Sequence, residues 1–286
     1  MPETEFIKQI EGIDAHQHFW NFDPVRDSWI TEDMSVIRRD FGPADLLSLL
    51  EANSLEGSVI VQSDQSEEEN IFQLENAEKF DFIKGVVGWV DLRAKDLHER
   101  LAYYRQFEKL KGFRHVLQGE TDRALMLTPD FKKGIGALKS FGYTYDILIH
   151  PDQLRYVPEL AAAFPDQPFV IDHIAKPSIR DGQPMEEWKM GMKAAAAHGN
   201  VHCKISGMVT ETNWKNWKKE DFRPYLDTVV AAFGTRRILF GSDWPVCLVA
   251  GSYSQMIHIV RDYFAGFSQS EQTAFFGGNA TTFYNL

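Results

Sequence analysis

Only two cysteines, Cys203 and Cys247, occur in the 286 residues. That is too few for a disulfide framework, and both read as small core residues rather than nucleophiles. Long hydrophobic runs are also missing: no uninterrupted apolar stretch approaches the roughly 18 residues a membrane helix needs. Met1 to Ile10 carries Glu3, Glu5 and Lys8 and no apolar h-region. A soluble, cytoplasmic protein is expected. Positive charge is scarce: the formal net charge is −11. With no long basic cluster, nucleic acid and anionic membranes are poor partners. No G-x-G-x-x-G follows a first strand, which argues against a dinucleotide fold. Ser206 lacks the G-x-S-x-G elbow of a serine nucleophile. Asn279-Ala280-Thr281 matches a glycosylation sequon but has no secretion signal beside it. Linkers, repeats and low-complexity segments are absent as well, so one domain over Met1–Leu286 is the simplest organisation.

What is present is alternation. Apolar, β-branched runs recur at Ile13–Phe19, Gly57–Ser63, Phe82–Leu92, Gly112–Leu117, Thr144–His150, Phe169–Ile174, Val201–Ser206 and Arg237–Asp243. Amphipathic stretches follow them at Pro43–Ala52, Glu67–Phe80, Asp96–Leu110, Pro129–Phe141, Pro151–Phe164, Met185–His198, Phe222–Phe233 and Tyr253–Phe264. Such alternation means parallel strands joined by right-handed crossovers. Eight units in 286 residues point to an α/β fold of the (β/α)8, or TIM, barrel type. Two connections, Phe19–Gly42 and Gly207–Asp221, are longer than a barrel needs, and both follow strand C-termini, where barrel active sites are built. Their aromatic residues, Trp29, Trp214 and Trp217 among them, can stack on a ring substrate as a closing lid or pack down as the lid's own core.

The organising stretch is Gly12-Ile13-Asp14-Ala15-His16-Gln17-His18-Phe19-Trp20. In a regular strand Asp14, His16 and His18 share one face and Ile13, Ala15 and Gln17 the other. Two imidazoles at a strand end are half of a metal site, or else two polar residues, one hydrogen-bonded and one solvated. Downstream polar residues also gather at strand ends: His150 on the fifth, His173 on the sixth and Asp243 on the eighth. Four of nine histidines then meet at one mouth. Three imidazoles and a carboxylate can hold one zinc-like ion and a water, and a further histidine can polarise a substrate. Arg114 shares parity with Val116 and should point inward, either to bind a carboxylate or hydroxyls or to pair with Asp91 or Glu120. Gln118 and Glu120 follow the same strand as candidate partners of sugar hydroxyls. Asp243 shares parity with Leu239 and Gly241, so its carboxylate should face the interior, with Gly241 leaving room for substrate or water; capping the next helix is its alternative role. His98, His198 and His258 fall in helical stretches and read as surface residues, and His202 is ambiguous.

Several motifs carry a family resemblance: Asp14-Ala15-His16-Gln17-His18, Gly112-Phe113-Arg114-His115, Ile171-Asp172-His173-Ile174-Ala175-Lys176-Pro177, Lys204-Ile205-Ser206-Gly207, Gly241-Ser242-Asp243-Trp244-Pro245 and the terminal Gly278-Asn279-Ala280-Thr281-Thr282-Phe283-Tyr284. On these the whole chain resembles the amidohydrolase superfamily, in the amidohydrolase-related branch that contains sugar-acid lactonases and related hydrolases. The resemblance implies that His16, His18, His150 and Asp243 are the metal-site positions and that His173 stands near the reacting carbonyl. Two-metal members often bridge their ions with a carboxylated lysine on the fourth strand. Gly112–Leu117 has no lysine, so at most one divalent ion such as zinc is expected, weakly held or absent. The implied activity is opening the lactone ring of a sugar acid, an aldonolactone such as a fucono- or rhamnonolactone, with Asp243 as general base on water. A metal-dependent decarboxylase of the same superfamily would use the same residues. A non-catalytic sugar-acid-binding barrel has no reason to keep the His/Asp set. The expected partner is a small-molecule substrate, and the sequence is compatible with a homo-oligomer without specifying one.

Overall fold

The computed structural model describes residues 12–183 and 185–286; the stretch carrying Glu3, Glu5 and Lys8 lies outside the described residues. The β-branched runs form eight strands: β1 Gly12–Gln17, β2 Leu55–Val61, β3 Ile83–Gly88, β4 Leu110–His115, β5 Thr144–Ile147, β6 Phe169–Ile171, β7 Val201–Ile205 and β8 Ile238–Phe240. They lie in chain order in one sheet, each parallel to the next. The sheet meets itself just past the strand ends. There the Asp243 N–H donates to the His16 carbonyl at 2.8 Å and the His18 N–H to the Trp244 carbonyl at 2.7 Å. This is the (β/α)8 barrel that the alternation implied.

The intervening helices are α1 Pro43–Ala52, α2 Glu67–Lys79, α3 Leu97–Tyr104, α4 Pro129–Phe141, α5 Val157–Ala163, α6 Glu186–Ala196, α7 Lys219–Phe233 and α8 Tyr253–Phe264. Pro43 and Pro129 open α1 and α4, at the position where a missing N–H costs no helical bond. The Ser252 hydroxyl caps α8 by accepting the Gln255 N–H. Two helical stretches differ from expectation. Asp96–Leu110 is helical only over Leu97–Tyr104, and Pro151–Phe164 is a 3-10 turn, Pro151–Tyr156, followed by α5. The chain ends in α9 Gln269–Thr273, a π turn, and α10 Asn279–Tyr284. Among the described residues no helix is long and apolar enough to cross a membrane.

Apolar packing falls into two layers. Ile13, Ala15, Val59, Val61, Val87, Val170 and Leu239 fill the barrel interior, and Ala280, Phe283 and Tyr284 of the α10 region pack with them. A larger cluster fills the space between the strands and the helices around them. The long connection Phe19–Gly42 has a core of its own: Trp20 meets Trp29 edge-on at 5.9 Å and Phe41 at 5.7 Å, and Phe41 meets Trp244 at 5.2 Å.

Candidate active site

Each group at the barrel mouth is delivered by a local departure from regular structure. On β1 the step from Asp14 to Gln17 takes three residues, against two between Ser58 and Ile60 on β2. The extra residue is a bulge, and it brings His16 to the interior directly after the inward-packed Ala15. This corrects the one-face reading of Asp14, His16 and His18. Asp14 points outward instead, where it accepts the Ser242 N–H at 2.9 Å, the Ser242 hydroxyl at 2.6 Å and the Tyr253 hydroxyl of α8 at 3.0 Å. Burial pushes its pKa up to about 6.

On the other side of the closure, Asp243 lies three residues past the end of β8 and turns at φ +58; its carboxylate faces the interior, set by that turn rather than by strand parity. Gly241 serves a different purpose from the one expected. A Cβ there would lie 2.6 Å from the His16 Cβ and 3.1 Å from the Ser206 Cβ, so the room it leaves is taken by His16. After β6, His173, Ile174, Ala175 and Lys176 run consecutively at φ +53, +49, +59 and +50. Left-handed backbone costs non-glycine residues roughly 1–2 kcal/mol each, and such strain concentrates at functional sites. It places the His173 ring 4.3 Å from that of His16 and its Nδ1 2.9 Å from the Ser206 hydroxyl. Gly207, at φ +60, makes this possible, since a Cβ there would meet His173 Nδ1 at 2.5 Å.

The result is one carboxylate oxygen facing three imidazoles. Asp243 Oδ1 lies 3.3 Å from His18 Nε2, 3.8 Å from His173 Nε2 and 3.9 Å from His16 Nε2. Burial alone would raise Asp243, but the three imidazoles around it, His173 first, outweigh it and hold it well below the usual carboxylate range. Burial pushes His173 down to about 4, against the pull of Asp243. Burial, then the Lys204 charge, keeps His16 neutral in the same way.

Two observations bear on a metal. First, His18 Nδ1 lies 2.7 Å from the Val61 carbonyl and must carry the ring proton to donate there. In the neutral ring Nε2 is then a lone pair facing a carboxylate oxygen, two acceptors that a cation between them would reconcile. Second, ligand atoms of His16, His18 and Asp243 all lie within 4.8 Å of one another, and so do those of His16, Asp172 and His173. The first set suits a zinc-like ion in donor type. The second is already supplied with positive charge: Arg114 Nη1 lies 3.0 Å from Asp172 Oδ2, and Lys204 Nζ 3.1 Å from Asp172 Oδ1.

Those two cations belong to a fully buried network beneath the mouth. Lys204 on β7 donates to Asp146 Oδ2 on β5 at 2.6 Å and lies 3.2 Å from His16 Nδ1. The Tyr284 hydroxyl donates to Asp146 from below, at 2.8 and 3.0 Å to its two oxygens. Burial would raise Asp172, but Lys204, then His16 and Arg114, hold it well below the carboxylate range.

The residues singled out from the sequence are distributed unevenly. His16, His18, His173 and Asp243 come together, whereas His150 joins neither metal-ligating group. Strand β5 ends at Ile147, and His150 already caps the Pro151–Tyr156 turn, its N–H donating to Gln153 Oε1 at 3.1 Å. Arg114 points inward as parity implied, but to Asp172 and Gln62 rather than Asp91 or Glu120. A cavity of about 310 Å3 opens above the site, lined by His18, Trp29, Arg114, Gln118, Lys176 and Asp243 among others. Trp29 is 42% exposed and Gln118 Oε1 is buried without a partner. Glu120 is absent from this wall, being paired with His115 Nε2 at 2.7 Å. Trp214 and Trp217 are also absent from it, their indole N–H groups tied to the Thr210 and Ala250 carbonyls at 2.9 and 2.8 Å.

A family model described as amidohydrolase matches residues 13–286. The chain belongs to the amidohydrolase family. As an amidohydrolase it is a hydrolase, and two lactonases match it over nearly their whole length. It is 39% identical to an L-fucono-1,5-lactonase of Burkholderia multivorans, covering 96% of each chain. It is 35% identical to an L-fucono-1,5-lactonase of Burkholderia ambifaria, covering 96% of this chain and 95% of that one. A crystal structure of an amidohydrolase from Burkholderia multivorans with bound zinc superposes with a TM-score of 0.93 at 39% identity, over 96% of this amidohydrolase and 99% of that one. The groups that sequence reasoning missed here are Gln62, Asp146, Asp172, Lys204 and Tyr284. Lys204 had a signal, being a charged residue in mid-strand with the parity of Ser206. Asp172 sits beside a histidine already singled out.

Proposed function

We propose that this amidohydrolase opens the ring of a sugar-acid lactone, with L-fucono-1,5-lactone as the first substrate to test. The observation that carries the reading is the ionised Asp243 carboxylate, set 3.3–3.9 Å from three imidazole nitrogens at the floor of an open cavity. The names of the two full-length relatives, at 39% and 35% identity, favour a lactone as the carbonyl compound. The cavity, about 310 Å3, lies within the usual range for small-molecule sites.

Asp243 takes a proton from the attacking water, and the water oxygen bonds to the lactone carbonyl carbon. The Ser206 hydroxyl donates to His173 Nδ1, which leaves the ring proton on Nε2 to donate to the carbonyl oxygen as negative charge builds there. The ring C–O bond then breaks, and the leaving alkoxide takes the proton held by Asp243. The new carboxylic acid releases its proton to solvent. Trp29 offers an apolar face to the sugar ring, and Gln118 Oε1 a vacant acceptor to its hydroxyls. His16, His18 and Asp243 would hold a divalent ion such as zinc, which when bound polarises a carbonyl and acidifies water.

The test is a pH-indicator assay in weak buffer against a panel of five- and six-membered sugar lactones, run with and without chelator. Acid release with L-fucono-1,5-lactone is expected. Carbon dioxide evolution from an aromatic acid, with no acid release from any lactone, would replace the reading.

A further inference from the structure

Ring-opening turns a neutral lactone into an anion, so the mouth needs a cation that can meet a carboxylate. Arg114 is the obvious candidate by sequence, but its five N–H groups are all engaged. Its Nε donates to Gln62 Oε1 at 3.2 Å, and its Nη1 to Asp172 Oδ2 at 3.0 Å and His16 Nε2 at 3.4 Å. Its Nη2 donates to the Gln62 carbonyl and, at 2.8 Å, to Gln62 Oε1. A guanidinium has no further donor, and this one is fully buried among groups that would be left unpaired if it turned away.

Two other cations line the cavity, Arg26 and Lys176. Arg26 forks onto Asp27, at 2.9 Å from Nε and 2.8 Å from Nη2. Lys176 is half-buried and makes no side-chain hydrogen bond or ion pair with any described residue. It ends the left-handed run that begins at His173, so one strained turn sets both side chains on the same wall. Its charge is felt at His173, His150 and Glu211.

We infer that Lys176, and not Arg114, receives the carboxylate of the ring-opened sugar acid. This rests on the lactonase reading above. The ammonium is a compact point charge on a flexible stem, free to follow the carboxylate as it separates from the ring oxygen, and it adds discrimination between product and substrate rather than between sugars.

The test is calorimetric titration of sodium L-fuconate into the purified protein, alongside kinetics on L-fucono-1,5-lactone. Lys176→Met should weaken L-fuconate by at least about tenfold, a much larger change than in KM for the neutral lactone. Lys176→Arg should restore most of the anion affinity, and added salt should weaken the wild type more than the methionine variant. Normal lactone turnover with L-fuconate affinity unchanged in Lys176→Met would overturn this assignment alone. Failure of the wild type to open any lactone would bring down the lactonase reading and this inference together.

Discussion

Asp243 and Arg114 are both buried charges at one mouth, yet removing each should do opposite things. Asp243→Asn keeps the shape and removes the proton acceptor. Its kcat should fall by at least about a hundredfold, while its urea midpoint stays close to that of the wild type; near-normal turnover would take Asp243 out of the mechanism. Arg114 is held by Gln62 and Asp172, so its loss leaves Gln62 and one of the two buried Asp172 oxygens without their donor. Arg114→Met should cost about 3–5 kcal/mol of stability, the usual penalty for breaking a buried pair from one side, read in urea unfolding. A stable variant with only a raised KM would return Arg114 to substrate binding. The direction of Arg114 was legible from parity with Val116. Its partner was not, because Asp172 lies 58 residues away and nothing local marks the pairing.

At the scale of elements, alternation was readable and its interruptions were not. Pro43–Ala52, Pro129–Phe141 and Tyr253–Phe264 begin and end where proline, serine and amphipathic spacing place them. Strand parity worked for Arg114, which lies on the regular stretch of β4 beyond the irregularity at Leu110–Gly112, and failed on β1, where one inserted residue exchanges the faces beyond it. His150 lies three residues past the end of β5, which stops after four residues, and an apolar run does not reveal where pairing ends. The β1 bulge depends on its neighbour, since His16 occupies the space that a side chain at position 241 would fill. Gly241→Ala should therefore cost about 1–3 kcal/mol, as overpacking generally does. It should also displace His16, so that zinc retained after desalting falls relative to wild type in metal analysis. Wild-type stability together with wild-type zinc retention would show that the bulge tolerates the methyl group.

The whole molecule is a barrel with chemistry at one end and a plug at the other, linked by the buried Tyr284–Asp146–Lys204–His16 line. On β7, packed against the α10 plug, sits a titratable group well away from the mouth. The His202 ring lies 4.8 Å from that of Phe283, and its Nδ1 is buried without a partner. Burial, with the Arg237 charge adding to it, lowers its pKa from 6.5 to about 4. Between those values the unfolded chain binds a proton at this position that the folded chain refuses, so the contribution of His202 to stability is present above pH 6.5 and is lost as the pH falls towards about 4. Asp14 acts in the opposite sense. Its pKa rises from 3.8 to about 6, so its contribution is present below pH 3.8 and is lost as the pH rises through about 6. The net slope of the wild type mixes these with His173 and the other shifted groups, and only a comparison isolates His202. His202→Phe keeps an aromatic ring against Phe283 and removes the proton site. Its urea midpoint should fall less than that of the wild type, or rise, as the pH is taken from 6.5 to 4.5, with the two curves parallel above pH 7. Curves that stay parallel through the acid range would mean that His202 protonates freely in the folded barrel, and that the plug loosens enough to let water reach it.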